Sequence, residues 1–257
     1  MQKILLSNYN HSKVIKDKKL DYVFIKLNTT CNAKCGFCDC WKTKKHTFAI
    51  DYLSLADQLL KIRPQEINLS GGEVFLAPEF WPLLEKINGE LNWSITTNGS
   101  LLRKETIDRL VSLNVRRLFI SIDSVYDVDH NASRGIQRLL AKINSSIDYI
   151  TTHYSEIDII VNHVVTKLNS GQIKDFLLFY QEKKVKSINL IPIKDTSNLY
   201  LNVDEITSFY EEIKQLLEDE LIVQEFFINK NYYIFGRSEK DFLLHRKGSI
   251  HLVKPIV

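Results

Sequence analysis

Short apolar runs alternate along the chain with longer segments whose apolar positions recur at helical spacing. The runs Tyr22–Leu27, Glu66–Leu69, Asn92–Thr96, Arg117–Ser121, Ile157–Val165 and Ser187–Ile193 read as strands. Between them, Leu53–Ile62, Pro78–Ile87, Lys104–Leu113, Ile136–Ile150 and Gln172–Lys183 read as helices; in the fourth, Leu139, Leu140, Ile143, Ile147 and Ile150 form one apolar stripe. Regular strand–helix alternation predicts an α/β fold, a parallel sheet with crossover helices. The Ile, Val, Leu and Phe content predicts strands buried on both faces. Periodicity alone does not separate an open sheet from a barrel. After Ile193 the rhythm changes. Asn202-Val203-Asp204-Glu205 starts a helix with a capping-box acid and runs to about Leu217. A β-rich stretch follows at Leu221–Phe227 and Tyr232–Phe235, then a short helix near Lys240–Arg246.

The connection from Asn28 to about Ile50 far exceeds the ordinary two to six residues of a βα loop, which marks it as functional. It carries Cys31, Cys35 and Cys38 as C-x3-C-x2-C. Thiolates are soft ligands that hold iron–sulfur clusters. Three sulfurs leave one iron of a cubane cluster without a protein ligand. The alternative, zinc with a fourth ligand from Cys40 or His46, lacks the second ligand pair such sites normally use. Cys40 reads as a bystander, a redox-sensitive thiol or a substitute ligand.

The cysteine spacing, with Phe37 just before the last sulfur, resembles the signature of the radical S-adenosylmethionine (SAM) enzymes. The motifs Ser70-Gly71-Gly72-Glu73, Thr97-Asn98-Gly99, Ser121-Ile122-Asp123 and Asn189-Leu190-Ile191-Pro192-Ile193 follow in the family's order. The resemblance implies a partial (β/α)6 TIM-like barrel over residues 21–195, after an N-terminal segment; the changed rhythm beyond it reads as a small α+β cap over 196–257, either minimal or the start of a longer extension. It places the site at the carboxyl ends of the strands, as in parallel sheets generally. It implies a [4Fe–4S] cluster on Cys31, Cys35 and Cys38 whose open iron takes SAM. Reductive cleavage of SAM then yields a 5′-deoxyadenosyl radical that abstracts hydrogen from substrate.

By the same resemblance, Ser70, Gly71, Gly72 and Glu73 serve the SAM amino group, glycine removing the side-chain obstruction to close approach. Thr97 and Asn98 belong to the same cofactor site, although Asn-Gly is also a common turn. Ser121 and Asp123 correspond to contacts with the SAM carboxylate and ribose, and Arg134 to a guanidinium near that carboxylate. Arg134 reads equally as a solvated residue at a helix start. Asn162 lies where relatives place a polar residue against the ribose, and alternation puts His163 on the opposite face. Phe37, Ile191 and Pro192 correspond to adenine neighbours. His130 matches a histidine of many relatives or caps the following helix, and Tyr200, Tyr232 and Tyr233 line a substrate mouth or pack.

Composition narrows the setting. No apolar run approaches the roughly 18 residues of a membrane span, and Met1–Ser7 is too short for a secretory signal. Four cysteines, three of them clustered, do not form a secreted disulfide framework, so a cytoplasmic enzyme is expected, since reducing compartments keep such thiols free. A net charge of +3 does not predict nucleic-acid binding. Lys42, Lys44, Lys45 and His46 read as a solvated loop face or as a dock for an acidic electron donor such as a flavodoxin or ferredoxin. The motif dialect most resembles the branch of the family with peptide-modifying and cofactor-maturing members, which implies a peptide or peptide-derived substrate. Sugar or nucleoside modification is the rival, and a non-catalytic iron–sulfur sensor or scaffold is the reading from another class. Oxidoreductase, transferase and isomerase outcomes stay open. No cysteine follows Cys40, so residues 196–257 offer no thiolate for an auxiliary cluster.

Overall fold

A computed structural model describes residues 22–42, 51–193, 198–219 and 225–228, with residues 192 and 225–228 described by their backbone alone. Strands β1 (Tyr22–Lys26), β2 (Glu66–Ser70), β3 (Trp93–Thr97), β4 (Arg117–Ser121), β5 (Asp158–Val165) and β6 (Ser187–Pro192) match the six expected runs. A further strand, β7 (Glu225–Ile228), falls within the β-rich stretch after residue 195. All pair in parallel, in sequence order, as one sheet. The helices are α1 (Tyr52–Ile62), α2 (Phe80–Ile87), α3 (Lys104–Ser112), α4 (Asp127–Arg134), α5 (Leu139–His153), α6 (Ile173–Glu182) and α7 (Val203–Glu218). Sequential parallel neighbours joined by helices are the arrangement of a partial barrel. Residues 1–21, Lys44, Lys45 and His46, and the elements expected at Tyr232–Phe235 and Lys240–Arg246 lie outside the described residues.

Register shows what each face of the sheet does. Val23 and Ile25 align with Ile67 and Leu69, and the same face continues through Trp93 and Ile95, Leu118 and Ile120, Ile159 and Val161, and Ile188 and Leu190. All are buried, most of them completely, and form one core with Leu59, Phe80, Leu84, Leu110, Ile143, Ile147, Phe176 and Tyr180 from the helices. The polar residues between them share the other face, Asn68, Ser94, Thr96, Ser121, Asn162 and Asn189 among them, with Phe24 and Lys26 exposed. The expectation of strands buried apolar on both faces is therefore corrected. One face is apolar beneath the helices, and the concave face mixes these polar residues with Phe24, Phe119, Ile160, Val164 and Ile191.

Polar residues on that face satisfy one another laterally. Asn68 Nδ2 donates to Ser94 Oγ (3.0 Å), Thr96 Oγ1 to Asn68 Oδ1 (3.0 Å), and Asn189 Nδ2 to Asn162 Oδ1 (2.8 Å). At the strand starts, Arg117 bridges Glu66 and Asp158 (3.5 Å to the latter) and closes the floor.

Helix α4 was not expected. Its sequence, Asp127-Val128-Asp129-His130-Asn131-Ala132-Ser133-Arg134, has no apolar period, and Val128 points to solvent. Tertiary contacts hold it: His130 and Arg134 are buried, and Gly135, at φ 65°, ends it in the left-handed conformation glycine tolerates. The helix expected over Ile136–Ile150 accordingly begins three residues later, at Leu139, where its apolar stripe was expected to start. Asn202 caps α7 as anticipated: its side chain accepts from the Asp204 and Glu205 amides (2.9 Å each), and Glu205 accepts from the Asn202 amide.

Candidate cofactor site at the carboxyl ends of the strands

The loop after β1 is tied to the loop after β2 through Asn28. Its carbonyl and its Oδ1 both accept from the Gly72 amide (3.0 Å each), and its Nδ2 donates to the Glu73 carbonyl (3.0 Å). Glu73 N donates to Thr30 O (2.7 Å). A Cβ on Gly72 would lie 2.3 Å from Thr30 O, and one on Gly71 2.5 Å from Asn28 Oδ1. Both glycines are thus required by the contact between the two loops, a constraint internal to the chain.

Glu73 is completely buried. Thr97 Oγ1 donates to its Oε1 (2.7 Å) and the Asn98 amide to its Oε2 (2.7 Å), with the Phe75 amide at 3.4 Å. Burial pushes its carboxyl above the usual range, while the donors from Asn98, Thr97 and Phe75 oppose that shift. The carboxylate therefore joins the ends of β2 and β3. Asn98 in turn reaches the cysteine loop: its Nδ2 donates to Asn32 Oδ1 (2.9 Å) and lies 3.8 Å from Cys31 Sγ. The turn reading also holds, since Asn98 Oδ1 accepts the Ser100 amide (2.9 Å).

A second set of contacts runs from β4. Asp123 is buried, and its Oδ1 accepts from Arg134 Nη2 at 2.6 Å while its Oδ2 accepts from Ser133 Oγ (2.9 Å). Burial alone would raise the Asp123 carboxyl; Arg134's charge and hydrogen bond instead hold it below the usual carboxylate range. Arg134 Nη1 lies 3.7 Å from Cys35 Sγ, its guanidinium stacks 5.3 Å from the Phe37 ring centre, and its carbonyl accepts the Lys34 amide (2.8 Å). The solvated reading of Arg134 is thereby corrected: it is the buried last residue of α4, with its Nε a buried donor lacking a partner.

Two histidines flank this pair. The Asp123 amide donates to His130 Nδ1 (3.1 Å), so the proton of neutral His130 sits on Nε2. His163 Nδ1 faces the Ile122 carbonyl (3.2 Å) and carries the proton itself, with its ring 4.1 Å from Phe176. His163 lies on the face opposite Asn162, as alternation requires. Burial pushes each imidazole down to about 4.

Cys31, Cys35 and Cys38 are free thiols, Cys35 being the most buried. Burial raises all three, Cys38 to about 11, so metal uptake would release protons. Among the described residues, no three His, Cys, Asp or Glu side chains surround a point as one metal ion would demand. Cys40 stands near Lys26 Nζ (3.6 Å). Lys42 is exposed but already paired with Asp39 (2.7 Å).

Of the remaining expected residues, Ser70 is buried and its carbonyl accepts the Leu27 amide (2.8 Å), while Ser121 is half-buried at the end of β4. Ile191 is half-buried beside Val164, the backbone of Pro192 pairs with Val165, and Tyr200 is half-buried. Asn28, Asn32 and Asn169 were not singled out as site residues from the sequence, and Asn189 was read only as part of a strand motif. Asn169 Nδ2 braces the carbonyls of Asp123 and Val164 (2.9 Å each). Asn28, following the first apolar run directly, was the one with a visible signal.

A parallel partial barrel with a three-thiol loop at the carboxyl ends of its strands defines a class of cluster-bearing α/β enzymes. Within that class the chain belongs to the Radical SAM superfamily, whose profile matches residues 25–179. Among curated proteins it resembles the GTP 3′,8-cyclase of Haemophilus influenzae (strain PittEE), 22% identical over 99% of this chain and 77% of that protein. It also resembles the GTP 3′,8-cyclase of Staphylococcus aureus (strain bovine RF122 / ET3-1), 26% identical over 68% and 55%. In fold it resembles Streptococcus suis SuiB bound to precursor peptide SuiA (TM-score 0.69, 16% identity, 82% of this chain) and anSMEcpe with bound AdoMet and Kp18Cys peptide (0.65, 20%, 81%). The chain spans 49% of SuiB and 63% of anSMEcpe. The protein is thus a radical SAM enzyme, with a [4Fe–4S] cluster and SAM as cofactors. The donor set fits them: three free thiols in one loop and a buried, unpartnered Arg134 Nε beside one of them. Among the described residues no helix is long and apolar enough to cross a membrane.

Proposed function

We propose that Cys31, Cys35 and Cys38 hold the cluster and that the loops after β2, β3 and β4 position SAM above the concave face. The observation that carries this reading is the convergence of these motifs on the cysteine loop: Glu73 through Asn98 on Cys31, and Asp123 through Arg134 on Cys35. When bound, the cluster and SAM supply one-electron chemistry that takes a hydrogen atom from an unactivated carbon. The chain's part is to orient and shield. Thr97, Asn98 and Asn28 lock the loops together, the Asn162–Asn189 pair and Ser121 offer hydrogen-bonding groups on the concave face, and Phe37 with Ile191 offers apolar contact for a base.

The substrate we favour is a peptide or peptide-derived molecule, supported by the fold shared with SuiB, solved with its precursor peptide, and with anSMEcpe, solved with a peptide. A nucleotide is the second reading, favoured by the alignment of GTP 3′,8-cyclases over nearly the whole chain. A reducing compartment suits the four free cysteines, and an acidic electron donor suits the basic loop that begins at Lys42. Anaerobically reconstituted protein with dithionite and SAM should release 5′-deoxyadenosine; its absence from protein holding about four irons and four sulfides per chain would defeat the enzymatic site reading. Stimulation of that release by a precursor-like peptide, and not by GTP, supports the first substrate; the reverse supports the second.

A further inference from the structure

Arg134 divides its guanidinium between two partners. One nitrogen lies 2.6 Å from the Asp123 carboxylate and another 3.7 Å from Cys35 Sγ, and the side chain is 7% exposed. The backbone fixes this placement, because the Arg134 carbonyl accepts the Lys34 amide at 2.8 Å and Gly135 packs against Lys34, where a Cβ would come within 3.0 Å of the Lys34 Cβ. The end of α4 is thus clamped to the residue preceding Cys35. A charge that close to a ligating sulfur, shielded from water, acts at low effective dielectric and is felt by whatever metal the sulfur holds.

We infer that Arg134 and Asp123 form a paired electrostatic control on the reduction potential of the cluster, acting through Cys35. Arg134 is a positioning residue in this role. The inference rests on the reading that Cys35 ligates the cluster. Adding an electron increases negative charge beside the guanidinium, so Arg134 favours the reduced state and Asp123 opposes it. The two residues therefore pull the potential in opposite directions, although both belong to one salt bridge.

The test is an anaerobic redox titration of the reconstituted full chain without SAM, followed by the cluster's visible absorbance, for wild type, R134Q, R134K and D123N. The expected result is a midpoint shifted negative in R134Q, shifted positive in D123N and close to wild type in R134K. A purely structural bridge would move R134Q and D123N in the same direction, or neither, and either outcome overturns the inference. Should R134Q take up no cluster, D123N and R134K decide: an unshifted D123N midpoint at full iron content overturns it. A wild type that incorporates a cluster while a Cys35→Ala variant incorporates the same amount defeats the ligand reading and the inference with it. Retained incorporation in wild type with unshifted variants defeats the inference alone.

Discussion

His163 offers a direct measure of how dry the layer behind the site is. The ring is 1% exposed, packs 4.1 Å from Phe176 and uses one nitrogen on the Ile122 carbonyl, while its Nε2 has no partner. Burial lowers its pKa to about 4 against 6.5 for the free side chain. Between these values the unfolded chain binds a proton that the folded chain refuses. The native state is therefore fully favoured above pH 6.5, loses stability as the pH falls from 6.5 to 4, and loses no more from this group below that. Each pH unit inside the window is worth about 1.4 kcal/mol, so lowering the pH from 7.5 to 5 costs about 2 kcal/mol through His163 alone. A His163→Gln variant keeps a donor for Ile122 and does not titrate. Urea denaturation of both proteins at pH 7.5 and 5 should show the variant losing about 2 kcal/mol less than wild type over that interval. Equal losses in the two proteins would refute the argument that His163 is held neutral by burial.

Three other substitutions probe the frame. Gly72→Ala places a methyl 2.3 Å from Thr30 O; it should cost about 1–3 kcal/mol in urea melts and lower iron incorporation, and wild-type values in both would show that the two loops do not need their close approach. Thr97→Val removes the hydroxyl that donates to Glu73 (2.7 Å) and accepts the Gly99 amide (3.0 Å). A loss of about 2 kcal/mol is expected, and an unchanged midpoint would mean that Glu73 does not depend on that donor. Asn202→Ala deletes the side-chain half of the α7 capping box and should cost about 1 kcal/mol, read from the same melts, with cluster content unaffected.

The strands were legible because each is a short apolar run closed by polar or glycine-containing motifs, and the observed strands match those runs to within a residue or two. The helices with an apolar stripe were legible for the same reason. Helix α4 was not, because propensity and periodicity are silent on a polar segment whose stability comes from His130 and Arg134 reaching into the core. The concave face was misread as well. Counting Val, Ile and Leu along a strand shows that one face is buried, but Asn68, Thr96, Asn162 and Asn189 declare a polar band on the other face only when register lines them up across strands.

By itself, the amino-acid sequence determined the alternation of strand and helix, the three-cysteine loop, and the order of the motifs that follow each strand, because these are local patterns of residue type and spacing. Only the tertiary structure decided what those motifs do to one another. Glu73 accepts from Thr97 and Asn98 across 24 and 25 residues of chain, and Arg134 reaches Cys35 across 99. Such partnerships depend on which strand ends lie side by side and on which side chains are shielded from water, and neither is written in the spacing of residues along the chain.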